Sequence, residues 1–283
     1  MTESLGAALA EMRRIAEGAA AIVTRVYRDG NIDVEYKVGD DPVTRADKEA
    51  NAYIVSELSQ AFPGVPIVAE ESDVDSYGDY QTSPRAFFVD PLDGTRDFVA
   101  RTNEFAVMIG LAENGRAVAG VVVEPVTGDV YFGAVGVGAH CASSDGATRP
   151  ISVSATKGFA EAVVTVSRSH RSAEVDADLI RLGAKELRHY GSAGLKSIRV
   201  AEGVFDAYVH TSMSGYRWDA CAPEAIVCAA GGIYTDSRGG RIDYRSAHLD
   251  NASGVLAANP TLHAQALERL WGNTPPRSEP NTP

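Results

Sequence analysis

The chain has 283 residues, of which 45% are hydrophobic, and a formal net charge of −12. That length and apolar content suit one large α/β unit or two fused lobes. The acidic balance argues against a general nucleic-acid or membrane-surface binder, although divalent cations at a carboxylate-lined site would reverse its local sign. No run of about 18 apolar residues is present, so no transmembrane helix is expected. The three cysteines, Cys141, Cys221 and Cys228, form no disulfide framework and read as small buried residues.

The N-terminal stretch "MTESLGAALAEMRRIAEGAAAIV" (1–23) places charges at Glu3, Glu11, Arg13, Arg14 and Glu17, and the first 27 residues read as a helix. This is the pattern of an amphipathic helix and not of a secretory leader, and the expected location is the cytoplasm. Thr44 in "DDPVT" is a helix N-cap, and the helix it starts runs to about Ala61 before Pro63-Gly64. On that helix Asp47 shares the apolar face with Ala50, Ile54 and Leu58. A carboxylate facing a core is costly unless it is paired, so Asp47 is a tertiary cap or a base or orienting group at a site. "VPIVAEES" (65–72) is a short strand ending in Glu70-Glu71. A polar loop to Pro84 then leads into the strand that ends at Asp90 in "FFVDPLDGTRDF".

From Glu104 three apolar runs, separated by the turn sequences "ENGR" and "PVTGD", predict an antiparallel meander. Beyond about residue 160 the pattern alternates. Strand "AVVTVS", helix "EVDADLIRLGA", strand "LRHYGS", a helix from about Gly194 to Glu202 and strand "DAYVH" follow in turn. Helix "APEAIVCAAGG" and strands "GIYTD" and "GVLAAN" complete an α/β pattern. The expected organisation is an α+β N-terminal lobe (1–160) and an α/β C-terminal lobe (161–271), packed as one rigid unit. The tail 272–283, with four prolines and no apolar period, reads as disordered.

Four acidic positions stand at strand ends or helix starts: Glu70, Asp90, Asp93 and Asp219. The last, in "YRWDACAPEAI", falls just before a helix with Pro223 in its first turn. Each has a plain structural use on its own. Asp219 would be an N-cap, Glu70-Glu71 a solvated loop and "DPLDGT" an Asx turn. Together they are the all-oxygen donor set of a hard cation such as Mg²⁺, and Asp90 and Asp93 are near enough to share two ions.

These residues, from "DDPVTRADKEAN" through "PIVAEES", "VDPLDGTRDF" and "GSAGLKSIRVAEG" to "WDACAPEAIVCAAGGIYTD", resemble the inositol monophosphatase superfamily of lithium-sensitive, magnesium-dependent phosphatases. The resemblance runs from the first helix to about residue 265. It implies an α/β fold built as a layered αβαβα sandwich. It implies two or three Mg²⁺ ions held by Glu70, Asp90, the carbonyl of Leu92, Asp93 and Asp219. Gly94 and Thr95 would hold the scissile phosphate through backbone N–H groups, and Asp47 would act through Thr95 to deprotonate the attacking water.

"SRSH" (167–170) and "GSAGLK" (191–196) resemble the 3′(2′),5′-bisphosphate nucleotidase branch, in which His170, Ser192 and Lys196 would contact the nucleotide and its second phosphate. Inositol-specific members carry a glutamate seven residues before the last metal aspartate, where this chain has Ser212. The implied reaction is hydrolysis of adenosine 3′,5′-bisphosphate to AMP and phosphate. An inositol or sugar phosphatase of the same fold is the alternative, and an inactive nucleotide- or metal-sensing protein the alternative of another class. The expected partner is a small phosphate ester, with no nucleic acid and no stable membrane association, in a monomer or homodimer.

Overall fold

The computed structural model describes residues 4–37, 40–168 and 172–272. His170 and all but the first residue of the expected tail lie outside them. Helix α1 (Leu5–Asp29) and the small hairpin of β1 (Glu35–Lys37) and β2 (Asp41–Val43) lead to α2 (Arg45–Ala61). Thr44 caps α2 as expected, its hydroxyl accepting the N–H of Ala46. Seven strands follow as β3 (Ile67–Ala69), β4 (Arg85–Asp93), β5 (Ala106–Glu113), β6 (Arg116–Glu124), β7 (Asp129–Ala134), β8 (Gly138–Ala142) and β9 (Thr148–Pro150). They form one sheet in chain order, with the short helix α3 (Thr95–Val99) between β4 and β5. Only β3–β4 is parallel within it. The third apolar run divides into β7 and β8, because Gly136 turns the chain at φ 77°.

The second sheet has the order β11-β10-β12-β14-β13. Its strands are β10 (Val163–Ser167), β11 (Glu186–Tyr190), β12 (Ala207–His210), β13 (Ile233–Thr235) and β14 (Val255–Ala258). The helices of this half are α4 (Ala173–Leu182), α5 (Ala193–Ala201), α6 (Arg217–Ala229) and α7 (Pro260–Trp271).

Strand alternation sorts these elements into five layers. Phe87, Val89, Val121 and Val123 of the large sheet face α1 and α2. Their neighbours Phe88 and Val122 face the other way, onto α5 and α6. Those two helices also cover Tyr208 and Ala257 of the second sheet. The outer face of that sheet, with Val164, Val166 and Leu256, packs on α4 and α7. The result is the αβαβα sandwich, and both sheets are apolar on both faces because both faces are covered.

Helix α6 begins at Arg217, earlier than the sequence suggests, and Pro223 lies inside it and not in its first turn. Asp219 caps from within: its Oδ2 accepts the N–H of Tyr216 at 2.6 Å, which brings the two preceding residues into the helix. The proline removes one N–H from the middle of α6. Cys228 corrects a second expectation. It is exposed in the last turn of α6, whereas Cys141 and Cys221 are buried. Among the described residues no helix is long and apolar enough to cross a membrane.

Gly110 of β5 pairs with Gly120 of β6, which pairs in turn with Gly133 of β7, so a row of glycines crosses the large sheet. Helix α6 lies on it. A Cβ at Gly120 would fall 2.3 Å from the Ala222 carbonyl oxygen, and one at Gly110 2.6 Å from the Ala222 nitrogen. The obstacle is backbone, which cannot rotate away. Gly120→Ala is therefore expected to destabilise the fold by about 3 kcal/mol, at the upper end for overpacking. A urea unfolding midpoint equal to the wild type would show that α6 does not rest on this row.

Candidate active site

Asp90 and Asp93 are three residues apart, and a regular strand would point them to opposite faces. The β4–β5 register prevents this. Asp90 pairs with Met108 and Asp93 with Ala106, so β4 carries one extra residue between the two pairs. The bulge reverses the alternation and brings both carboxylates to one side. Helix α6, set by the glycine row, delivers Asp219 from above. One carboxylate oxygen from each of Asp90, Asp93 and Asp219 lies within 4.8 Å of the others. Glu70 follows β3, its N–H bonded to the Val89 carbonyl of β4 at 3.1 Å. With Leu92, Gly94 and Thr95, these acids line a cavity of about 290 Å³ that Ser192 and Lys196 also reach.

Asp47 stands behind this cavity, 1% exposed. Its Oδ1 accepts the Thr95 hydroxyl at 3.0 Å, and its Oδ2 accepts the N–H and hydroxyl of Thr44 at 2.8 and 2.5 Å. The helix cap and the bond to the cavity wall are thus made by different oxygens of Asp47. The other aspartates are fastened in a similar way. Asp90 Oδ1 accepts the Leu92 N–H at 2.9 Å, an Asx turn. Asp219 holds the Tyr216 N–H. Asp93 receives the N–H groups of Ala193 and Gly194 at 3.1 and 2.6 Å, together with the Ser192 hydroxyl, at the start of α5.

Burial is the main cause of the acidity changes here. It pushes Asp47 up to about 6, against the hydrogen bonds from Thr44 and Thr95. Burial raises Asp90 well above the usual carboxylate range, with the charges of Glu70 and Asp219 adding to it. Glu70 is raised by burial and then by Asp219, while Lys37 works against the rise. Lys37 reaches over from the small hairpin, 3.5 Å from Glu70 and in direct contact with Glu71. Asp219 is pushed up to about 7 by burial and by Asp93. Partly buried acids that resist ionising side by side, with only oxygen donors, fit a hard divalent cation.

Of the residues expected to recognise the non-reacting part of a substrate, Ser192 and Lys196 lie among the described residues. Ser192 has φ 56°, an unusual conformation for a non-glycine residue, and its hydroxyl bridges Asp93 and the Leu195 N–H. Lys196 is 4% exposed, donates to the Ser192 carbonyl at 2.8 Å and lies 5.1 Å from the Tyr208 ring centroid. Burial lowers its pKa to about 8, opposed by the charge of Asp93. At Gly94, with φ 92°, a Cβ would meet the Glu104 carbonyl oxygen at 2.9 Å.

Sequence reasoning missed a clasp between the two halves of the site. Arg168, which lines the cavity after β10, bonds Asp97 of α3 and, at 2.6 Å, Glu104. Glu104 also accepts the Gly191 N–H at 2.5 Å. Each contact spans more than 60 residues of chain, and no local pattern announces it. Met213 and Tyr216 also border the cavity. The aromatic pair in "YRWD" was the available signal for the second of these.

Residues 8–274 match the inositol monophosphatase family. The 3′(2′),5′-bisphosphate nucleotidase CysQ of Salmonella typhimurium is 35% identical over 240 residues, which cover 83% of this chain and 93% of that protein. The 3′(2′),5′-bisphosphate nucleotidase 1 of Homo sapiens is 31% identical over 280 residues, covering 86% of this chain and 87% of its own. Among solved structures, extragenic suppressor protein suhB from Bartonella henselae superimposes with a TM-score of 0.79 at 28% identity, covering 95% of this chain and all of that one. With the layered fold and the acidic cavity these matches agree: the chain belongs to the inositol monophosphatase family of metal-dependent phosphatases.

Proposed function

We propose that the protein is a Mg²⁺-dependent 3′(2′),5′-bisphosphate nucleotidase that converts adenosine 3′,5′-bisphosphate to AMP and phosphate. The observation that carries the chemistry is the cluster of Asp90, Asp93 and Asp219 oxygens beside the Thr95–Asp47 hydrogen bond. The substrate rests on the relatives named as bisphosphate nucleotidases. Ser212 supports it too, since no carboxylate stands there to grip the hydroxyls of an inositol ring.

Glu70, Asp90, Asp93, Asp219 and the Leu92 carbonyl would hold two or three Mg²⁺ ions. Bound there, the ions supply charge neutralisation for the phosphate and lower the pKa of water. The protein's own part is proton handling and orientation. The Thr95 hydroxyl has one proton, which it can give to Asp47 Oδ1 as it accepts another from the attacking water. Asp47, with its pKa near 6, is matched to that task at neutral pH. Thr44 fixes the other oxygen, so the acceptor cannot turn away. Gly94 and Thr95 offer backbone N–H groups to the scissile phosphate. Ser192 and Lys196 would hold the non-reacting part of the substrate, a role the resemblance gives to His170 as well. Phosphate release from adenosine 3′,5′-bisphosphate compared with inositol 1-phosphate tests the assignment, and a preference for the second would replace it with an inositol phosphatase.

If Asp47 and Thr95 act as one unit, Asp47→Asn or Thr95→Ala should each lower kcat by on the order of 10²–10⁴. The double variant should be little worse than either single one. Losses that multiply would show two independent groups and return Asp47 to a purely structural cap.

Asp90→Asn should abolish turnover while leaving the cation-free protein as stable as the wild type or more so. The substitution removes a charge that burial and two neighbouring acids already oppose. Turnover near the wild-type rate, measured as phosphate release, would end the role of Asp90 as a cation ligand.

The raised acids also set a pH signature. A carboxylate with a raised folded pKa favours the folded state fully below its unfolded value, about 4, and that contribution is lost as pH rises through the folded pKa. For Asp219 the loss runs from about pH 4 up to about pH 7 and is complete above it. In chelator the melting temperature should therefore fall between about pH 5 and 7. Millimolar Mg²⁺ competes with the protons, so its stabilising shift should be larger at pH 8 than at pH 6. Equal shifts at both pH values in a thermal melt would mean that these carboxylates do not take the ion.

A further inference from the structure

One wall of the cavity has a chemistry that phosphate handling does not use. Between β12 and α6 the chain exposes Met213 and Tyr216, 51% and 41% accessible, where they border the cavity. The ring of Tyr216 stacks on Trp218, with centroids 4.8 Å apart and planes at 21°. Trp218 is itself buried at 7%, so it backs one face of the tyrosine and leaves the exposure to the rest of the ring. The segment 211–216, "TSMSGY", has no charged side chain.

The wall is fixed in place. The Ser214 N–H bonds the Asn251 carbonyl at 3.2 Å, and the Asn251 N–H bonds the Gly215 carbonyl at 2.9 Å. The Asn251 side chain donates to the carbonyls of Ser214 and Tyr216 at 3.3 and 2.6 Å, and its oxygen accepts from Arg217 at 2.7 Å. Two apolar side chains held open at a cavity mouth by a buried asparagine mark a binding surface. The wall is also close to the chemistry: a Cβ at Gly215 would lie 1.9 Å from Asp219 Oδ2.

We propose that Met213 and Tyr216 form the subsite for the flat heteroaromatic base of the substrate, a reading that rests on the nucleotidase assignment above. A base presents a π-face to the tyrosine ring and the methionine sulfur, a surface that a polyol ring cannot match. Stacking on an aromatic side chain tolerates different bases because each has such a face. The subsite therefore recognises that a base is present more than which base it is.

The test compares kcat/KM on adenosine 3′,5′-bisphosphate with that on methyl riboside 3,5-bisphosphate, which keeps both phosphates and lacks the base. Tyr216→Ala should cost about ten- to a hundred-fold on the nucleotide, the usual scale of one stacked base, and little on the methyl riboside. Met213→Ala should act in the same direction by a smaller factor, and Tyr216→Phe should restore most of the loss by keeping the ring. Equal losses on both substrates would overturn the subsite, since they would show that the Tyr216 ring serves to brace the loop against Trp218 and not to hold a base. A wild-type enzyme that uses both bisphosphates equally well would also overturn it while leaving the bisphosphatase assignment standing. Hydrolysis of neither would overturn both.

Discussion

Bringing four aspartates and a glutamate to one point inside a protein is the constraint from which the architecture follows. Each buried carboxylate loses hydration, and each opposes the ionisation of the next. The structure answers with backbone dipoles. Asp47 and Asp219 sit in the first turns of α2 and α6, and Asp93 receives the first N–H groups of α5. Three helices therefore turn their positive ends to the acids, an arrangement that partly offsets the negative charge before any cation arrives. Asp93 and Asp219 are fixed by these N–H bonds and Asp90 by the Leu92 N–H, so backbone holds three of the acids that cations would bridge.

That convergence depends on two departures from regular structure. The extra residue in β4 puts Asp90 and Asp93 on one side, and the glycine row lets α6 approach the sheet until Ala222 nearly touches it. Without the first, the two β4 carboxylates would face different layers. Without the second, a side chain on the sheet would lift α6, and Asp219 with it. The clasp of Arg168 with Asp97 and Glu104 then joins the turn after Gly94 to the loop before α5. Placement at the site is thus a matter of backbone geometry, with long-range charge pairs closing the remaining gap.

Much of this was legible in the sequence where the cause is local. Thr44 announces a helix start by its own chemistry, and Asp47 betrays itself by standing on an apolar face. The run "FFVDPLDGT" shows its turn directly. Reading failed where the cause is distant or where two local signals compete. Pro223 marks a first turn on its own, yet Asp219 caps the helix from within and moves its start to Arg217. The bulge cannot be seen from β4 alone, because it is defined by the pairing with β5. Cys228 stands one heptad after the buried Cys221 and is nevertheless exposed, which the sequence spacing does not reveal. That the segment 213–216 is held in place cannot be seen locally either, because Asn251, far along the chain, pins it.

The division between the two ends of the cavity explains how one scaffold can serve different phosphate esters. At the reacting end all four aspartates have a backbone partner, and a substitution of one of them disturbs a helix start or a strand tip as well as the cavity. At the far end the wall is a short loop whose side chains carry no duty in the core: Met213 and Tyr216 are exposed and Ser212 is a small residue at the surface. Its shape is held by Asn251 through main-chain carbonyls, which are present whatever side chains the loop bears. A change of residue at 212, 213 or 216 can therefore change what the wall prefers, from ring hydroxyls to a flat base, without moving Asp219. Chemistry is fixed by the fold and recognition is left to side chains that the fold does not need.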